Sequence, residues 1–309
     1  MKRNIKEKNS NWVGLSKGNS TGTRLFIWVI SRVGIIPAYF ILLFAAAQYT
    51  LIDKKTRAIL QEFRNVIGLT CGIKEVYYHF YSFGMSLIDR YAYLLTGKQF
   101  FTFDTKNEDV IEKELKAGKG VILLGAHLGN WELAGKLLQG RLNAKVNFLM
   151  YDGESSAVKA AVRKATDNRQ ANVIFVGNDN VDTSVALVNA LQNGEIVCLN
   201  GDRVLEDQRY ADVSFMGRSV KFPAGPFIIS AVTGAPVIPI FAVKTSLKHY
   251  SFFAYKPIMS DLCSRHERMT RINSAVESYA AILESVVRKY PYQWFNYYHF
   301  WGDIKNRSK

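Results

Sequence analysis

Hydrophobic positions along the chain change their rhythm from one segment to the next, and each rhythm predicts a different kind of element. Residues 1–24 are polar and basic. From Leu25 to Ile52 the chain reads LFIWVISRVGIIPAYFILLFAAAQYTLI, apolar except for Ser31, Arg32, Gln48 and Thr50. That is close to the ~20 residues that span a bilayer. Arg32, Gly34 and Pro37 interrupt the run, and an arginine at bilayer depth costs roughly 2.5 kcal/mol or more unless it snorkels. Basic residues flank both ends, Lys17 and Arg24 before and Lys54, Lys55 and Arg57 after, so both ends prefer the cytoplasmic side. The pattern predicts an interfacial or re-entrant helical anchor rather than a simple span, with a buried core helix as the alternative. A cleaved signal peptide is not expected, because the apolar run starts late and lacks a small-residue cleavage site.

From Lys54 to Gly97 apolar residues recur at three and four, as in RAILQEFRNVIGL, and EVYYHFYSFGMSLIDRYAYLL is too aromatic for a solvated helix. His79 inside that stretch is expected to be a packed side chain. EDVIEKELKAGKG then reads as a helix stopped by glycine and VILLGAH as a short buried strand. The alternation continues with ESSAVKAAVRKATDNRQA, VDTSVALVNALQNG and PAGPFIISAVTG as helices and NVIFVG, EIVCLNGD and PVIPIFAVK as strands. Helices alternating with short aliphatic strands predict an α/β fold: a central, mostly parallel sheet flanked by helices, behind an N-terminal membrane-anchoring helical segment. No repeat, low-complexity tract or Pro/Gly-rich linker divides the chain. One catalytic domain is expected over residues 53–309, after a basic tail (1–24) and the anchor or interfacial helix (25–52).

Sites in such sheets gather at strand carboxyl ends. His127 lies at one such end, and Asp202 with Arg203 at another. The segment GAHLGNWELAG sets Glu132 five residues after His127. On an unbroken helix that spacing is a rotation of about 140°, so the two would not share a face. If the strand ends at His127, Leu128 and Gly129 make the turn and Asn130 caps a helix from Trp131, then Glu132 falls in the first turn and can reach back. A carboxylate that holds one imidazole nitrogen leaves the other as a proton acceptor, the base and orienter pair of acyl-transfer chemistry. No serine or cysteine stands beside the pair, so the nucleophile would be a substrate hydroxyl or amine. Asp202 and Arg203 have a plainer alternative as an ion pair capping a strand. Phe222, Pro223, Gly225 and Pro226 either make a turn before a helix or allow close approach of a phosphopantetheine or head group.

Charge narrows the partners. A formal net charge of +14 predicts attraction to an anionic partner, but the basic residues are scattered and carry no nucleic-acid-binding motif. A zinc hydrolase would need three protein ligands, and no second histidine stands near His127. His249, His266 and His299 lack partners at metal spacing. Cys71, Cys198 and Cys263 are odd in number and lack CxxC spacing, which reads as reduced thiols of a cytosol-facing protein. The aromatic residues from Trp294 to Trp301 suit core packing or an interfacial belt.

HLGNWE resembles the H-x4-D/E motif of the lysophospholipid acyltransferase superfamily, and in particular its lipid A late acyltransferase branch and that branch's amino-acid-lipid relatives. LQNGEIVCLNGDRV, VSFMGRSVKFPAGPFIISAVTGAPVIPIF and YPYQWFNYYHFW resemble later segments of the same branch in the same order. The resemblance implies His127 as general base and Glu132 as its orienting acid. It also implies substrate-binding roles among Asn130, Arg163, Arg169, Asp202, Arg203 and Gly225. It further implies acyl transfer from a thioester on acyl carrier protein, or on coenzyme A, to a hydroxyl of a lipid acceptor. The setting would be the cytoplasmic face of a bacterial inner membrane, with no metal, organic cofactor or nucleic acid. GDR stands where lipid A enzymes usually show Asp-Gln, and FNYYHFW where they usually end in a Trp-x-x-Arg-Arg-Phe-like block, which is closer to the relatives that act on amino-acid lipids. FPAGP in place of Phe-Pro-Glu-Gly separates the chain from glycerophospholipid acyltransferases, the runner-up reading.

Overall fold

The computed structural model describes residues 20–96, 100–130, 133, 142, 144–151, 171–176, 180–204, 208–259, 264 and 266–302. The apolar run divides at Val33 and Gly34 into α1 (Ser20–Arg32) and α2 (Ile35–Ile52). Because α2 is apolar on every side, it can bury one face and still present another. Ile35, Ala38, Tyr39, Leu42, Ala46 and Thr50 form the buried stripe, at the spacing of one helical face, and pack on α4 (Ile73–Thr96). Gly84 makes that approach close, since a Cβ there would lie 2.2 Å from Leu42 Cδ1. Between them runs α3 (Lys54–Val66), whose cap Asp53 accepts from the Thr56 N–H at 2.9 Å.

The rest largely alternates helix and strand. In chain order come β1 (Thr102–Lys106), α5 (Asp109–Lys116), β2 (Val121–Gly125), β3 (Val146–Tyr151), β4 (Ala171–Val176), α6 (Asn180–Gln192) and β5 (Ile196–Asn200). Then follow β6 (Tyr210–Phe215), β7 (Arg218–Pro223), α7 (Gly225–Thr233), β8 (Val237–Ser246), β9 (His249–Ala254) and α8 (Arg268–Lys289). Seven strands form one sheet in the order β1-β9-β8-β2-β5-β3-β4. All its neighbours pair in parallel except β8 with β9. This is the expected α/β sheet, flanked by helices.

Alternation along the central strands builds the core on both faces. Ile122, Leu124, Val197 and Leu199 face a cluster with Phe227 of α7, Tyr279 and Leu283 of α8, and Trp294. Val121, Leu123, Ile196 and Cys198 face the other side, with Ile111 of α5. A third cluster joins Val29, Ile30, Tyr39 and Leu42 of the first two helices to Ile88 and Ala92 of α4 and Tyr250 of β9. The apolar N-terminal helices therefore share a core with the sheet.

The sequence pattern assigns none of β1, β3, β6, β7, β9 and α8. TFDTK in β1 is half exposed at the sheet edge and carries no aliphatic run. β6 and β7 form a separate hairpin that turns on Met216 and Gly217, both with positive φ (55° and 76°), the backbone that suits a tight two-residue connection. The start of the VSFMGRSVKFPAGPF segment is thus regular structure. The expected helix of residues 154–171 lies outside the described residues except for Ala171, which starts β4.

Candidate active site

β2 and β5 are parallel neighbours registered Gly125 to Asn200. His127 lies two residues beyond one strand and Asp202 two residues beyond the other, so register alone sets them side by side. His127 Nδ1 lies 2.7 Å from Asp202 Oδ1, and the His127 backbone N–H donates to Asp202 Oδ2 at 3.0 Å. The Trp294 indole N–H donates to the same Oδ2 at 3.2 Å. Asp202 is fully enclosed while the His127 side chain keeps 28% of its surface exposed, so the ring faces solvent and the carboxylate backs it. Burial alone would raise the Asp202 carboxyl. The facing imidazole, its hydrogen bonds and the Arg203 charge outweigh burial and hold the carboxyl down at about 2. An ionised Asp202 keeps the proton on Nδ1 and leaves Nε2 as the basic nitrogen.

The loop after His127 is clamped from two sides. The Phe295 N–H donates to the His127 carbonyl at 2.7 Å and the Gly129 N–H to the Gln293 carbonyl at 2.8 Å. On the other side Ser86 Oγ of α4 donates to the Gly129 carbonyl and Asn130 Nδ2 to the Ser86 carbonyl, both at 3.1 Å. Gly129 has φ +66°, and a Cβ there would lie 1.9 Å from the Ala242 carbonyl oxygen. The expected tight turn therefore requires glycine. Asn130 caps as expected: its Oδ1 accepts from the Leu133 N–H at 3.4 Å, and Leu133 is helical.

Other expected site residues have definite places. Arg203 donates to the Phe295 carbonyl at 2.8 Å and sits over the Tyr298 ring. Asp202 serves His127 and Trp294 rather than simply capping a strand. Gly225 opens α7, and a Cβ added there would meet nothing within 4 Å. Glu132, Arg163 and Arg169 lie outside the described residues. The sequence assigned the orienting carboxylate to Glu132; the carboxylate on Nδ1 is Asp202. Trp294 and Gln293 carried no sequence signal beyond the aromatic run around them.

Three further histidines and two cysteines have definite places. His79 is buried, with Nε2 3.1 Å from the Trp294 carbonyl, and burial pushes its imidazole down to about 3. It is a neutral packed residue, as expected. His249 pairs with Asp104 at 2.8 Å and His299 with Glu62 at 2.6 Å. Cys71 and Cys198 are free thiols, and burial pushes Cys198 up to about 12; Cys263 lies outside the described residues. Among the described residues no group of three or more His, Cys, Asp or Glu could hold a metal ion. Trp294, Phe295 and Trp301 are buried, and the Trp294 ring meets Phe63, Phe215 and Phe300, so this part of the aromatic run is core.

An imidazole held by a buried carboxylate at adjoining strand ends defines a protein equipped for general base catalysis. The sequence profile of the bacterial lipid A biosynthesis acyltransferase family matches residues 94–301 of the 309, and the chain belongs to that family. It is also similar to phosphatidylinositol mannoside acyltransferase of Mycobacterium tuberculosis strains CDC 1551 / Oshkosh and ATCC 25618 / H37Rv. In each case 27% of residues are identical over 134, covering 42% of this chain and 41% of the relative.

Proposed function

We propose that the protein moves a fatty acyl chain from an acyl thioester to a hydroxyl of a polar lipid at a membrane surface. The observation that carries this reading is the His127 imidazole held on Asp202 at 2.7 Å, in a chain of this family. His127 Nε2 takes the proton of the acceptor hydroxyl as its oxygen attacks the thioester carbonyl, and Asp202 stabilises the imidazolium. The tetrahedral intermediate collapses, the carbon–sulfur bond breaks and the proton passes to the leaving sulfur, giving an ester and a free thiol. The oxyanion needs donors, for which backbone N–H groups after Asn130 and the guanidinium of Arg163 or Arg203 are the candidates. Asp202 takes the orienting role that the family resemblance implies for Glu132, and Arg169 keeps the substrate-binding role it implies.

The net charge of +14 favours acyl carrier protein, which is acidic, over coenzyme A as donor. The relatives' name gives them phosphatidylinositol mannoside, a glycolipid, as acceptor. A lipid A precursor, an amino-acid lipid and such a glycolipid all offer a hydroxylated head group, and we propose that class as acceptor, reached from the cytoplasmic face of the inner membrane. The test incubates the purified protein with labelled acyl carrier protein and lipid extracted from cells lacking the gene. A labelled lipid that releases its label in mild alkali is expected. Transfer from the carrier protein should slow several-fold in 0.5 M salt, since exposed charges are screened over about 10 Å already at 0.1 M. Label that resists alkali, as an amide does, would overturn transfer to oxygen.

A further inference from the structure

Among the described residues nothing covers the exposed half of α2. Ile36, Phe40, Leu43, Phe44 and Leu51 point away from the stripe that packs on α4, with Phe40 61% and Phe44 66% exposed. Trp28 of α1 adds a further exposed aromatic. Just beyond the exposed Ile52, a cleft of about 270 Å³ between the starts of α3 and α4 is lined by Lys54, Arg57, Gln61 and the exposed Ile73. Apolar side chains edged by cations have the chemistry of a surface that meets anionic lipid.

By length alone α2 could cross a bilayer, since its 18 residues rise about 27 Å. Its packing forbids it. Tyr39 donates to buried Asp89 of α4, which also accepts from Lys244 of β8 at 2.5 Å and from the Tyr250 hydroxyl of β9. Further along, Tyr77 of α4 donates to the Leu43 carbonyl at 3.4 Å, and the Tyr49 and Phe80 rings lie 6.0 Å apart. A spanning α2 would have to draw α4, the buried Asp89–Lys244 pair and the Ser86 clamp on the active-site loop into hydrocarbon, where ionised groups are costly.

We propose that α2 lies in the plane of the membrane, its outward face sunk in the interfacial layer and the Lys54–Arg57 cleft holding the head group of an anionic lipid. This deepens the membrane setting of the proposed function and rests on it, yet it is tested without acyl transfer. Full-length protein carrying Cys71→Ser and Cys263→Ser, with buried Cys198 retained, receives one cysteine as Ile36→Cys, Phe44→Cys or Leu51→Cys and an environment-sensitive dye. The probe membrane is phosphatidylcholine vesicles, with and without phosphatidylglycerol, bearing quenchers at graded depths.

The three dyes are expected at one shallow depth. Phe44→Cys deeper than both others, with Ile36→Cys and Leu51→Cys near opposite surfaces, would show a span and overturn the proposal. So would three dyes that no lipid quencher reaches. Lys54→Glu with Arg57→Glu should weaken binding to phosphatidylglycerol vesicles at least about tenfold, at about 1 kcal/mol per charge near the surface, and leave binding to pure phosphatidylcholine unchanged. Equal loss on both vesicles would overturn the head-group contact. His127→Ala should dock like the unaltered protein, so a failed docking result and a failed transfer result are told apart.

Discussion

Asp202 and Asp89 are both fully enclosed aspartates facing a basic side chain, and their carboxyls are driven in opposite directions. Burial raises Asp89, and the Lys244 charge with the hydrogen bonds from Lys244, Tyr250 and Tyr39 offsets only part of it, while burial lowers Lys244 in turn. For Asp202, the imidazole, its hydrogen bonds and the Arg203 charge overcome burial, and the carboxyl falls to about 2. The surroundings explain the contrast. Lys244 is itself almost enclosed, at 10% side-chain exposure, whereas His127 keeps 28%. A pair in which both partners are buried carries two desolvation penalties and serves to join elements. A buried carboxylate behind an exposed imidazole keeps its charge and leaves the ring's far side open to solvent, the arrangement the proposed base needs. The first ties α2 and α4 to β8 and β9; the second lies where β2 and β5 end.

His127→Ala should have the largest effect. General base catalysis accounts for about 10² to 10⁴ in rate, so acyl transfer should fall by that factor while thermal unfolding stays close to that of the unaltered protein. An active His127→Ala protein would erase the functional half of the contrast.

Asp89→Asn comes next and acts on the other half. It strands the Lys244 cation, and breaking a buried pair from one side costs about 3–5 kcal/mol. Urea unfolding should show this loss, while the folded fraction keeps its turnover. Adding Lys244→Met should recover much of the stability, because an apolar pair has no charge to desolvate. A drop in turnover at full folding would mean that the Asp89 cluster belongs to the chemistry.

How far each cluster could be read from sequence follows from how it is built. The aliphatic runs of β2, β5 and β8 and the glycine stops after α5, α6 and α7 announce themselves locally, so the sheet and the strand-end position of His127 were legible. The partner of His127 was not. Asp202 is 75 residues away, and only the pairing of β2 with β5 makes equal two-residue offsets meaningful; without it the nearby Glu132 took the role. Asp89 and Lys244 left fainter signs, a lone acid within SLIDRYAYLL and a lysine closing FAVK. A charge inside an apolar stretch marks burial but names no partner. β1 was missed because it buries little, and β3, β9, α8 and the β6–β7 hairpin were missed as well, although buried Ala211, Val213 and Phe215 alternate along β6.

Asp202→Asn should give a smaller but double effect. Asparagine keeps the shape and can still accept from Nδ1, but it cannot stabilise the imidazolium, so kcat should fall about 10²-fold with KM little changed. Stability carries a second sign. The Asp202 carboxyl is depressed from 3.8 to about 2 in the folded protein, so its contribution is present above pH ~4 and is lost as pH falls through ~2, on the order of 2 kcal/mol. The gap between the unfolding free energies of the original and Asp202→Asn proteins should narrow over that window. A gap constant with pH would mean that the carboxylate is not ionised in the way proposed.

Trp294→Phe and Tyr250→Phe make the finest matched test, since each removes one donor from one of the two aspartates. Asp202 Oδ2 accepts from the Trp294 indole at 3.2 Å, and Asp89 accepts from the Tyr250 hydroxyl. A hydrogen bond to a charged group contributes about 1.5–3 kcal/mol, so both variants should lose stability of that order, Trp294→Phe somewhat more because the smaller ring leaves space against Phe63 and Phe215. Turnover should separate them. The Asp202 carboxylate keeps two N–H partners on His127 after Trp294→Phe but loses the one that fixes Oδ2 from behind, so kcat should drop only about three- to tenfold. Tyr250→Phe leaves the dyad untouched and should leave kcat unchanged. If both variants slowed transfer equally, the Asp89 cluster would be setting the position of His127 through α4 and its Ser86 contacts to Gly129 and Asn130, and the two aspartates would form one coupled unit.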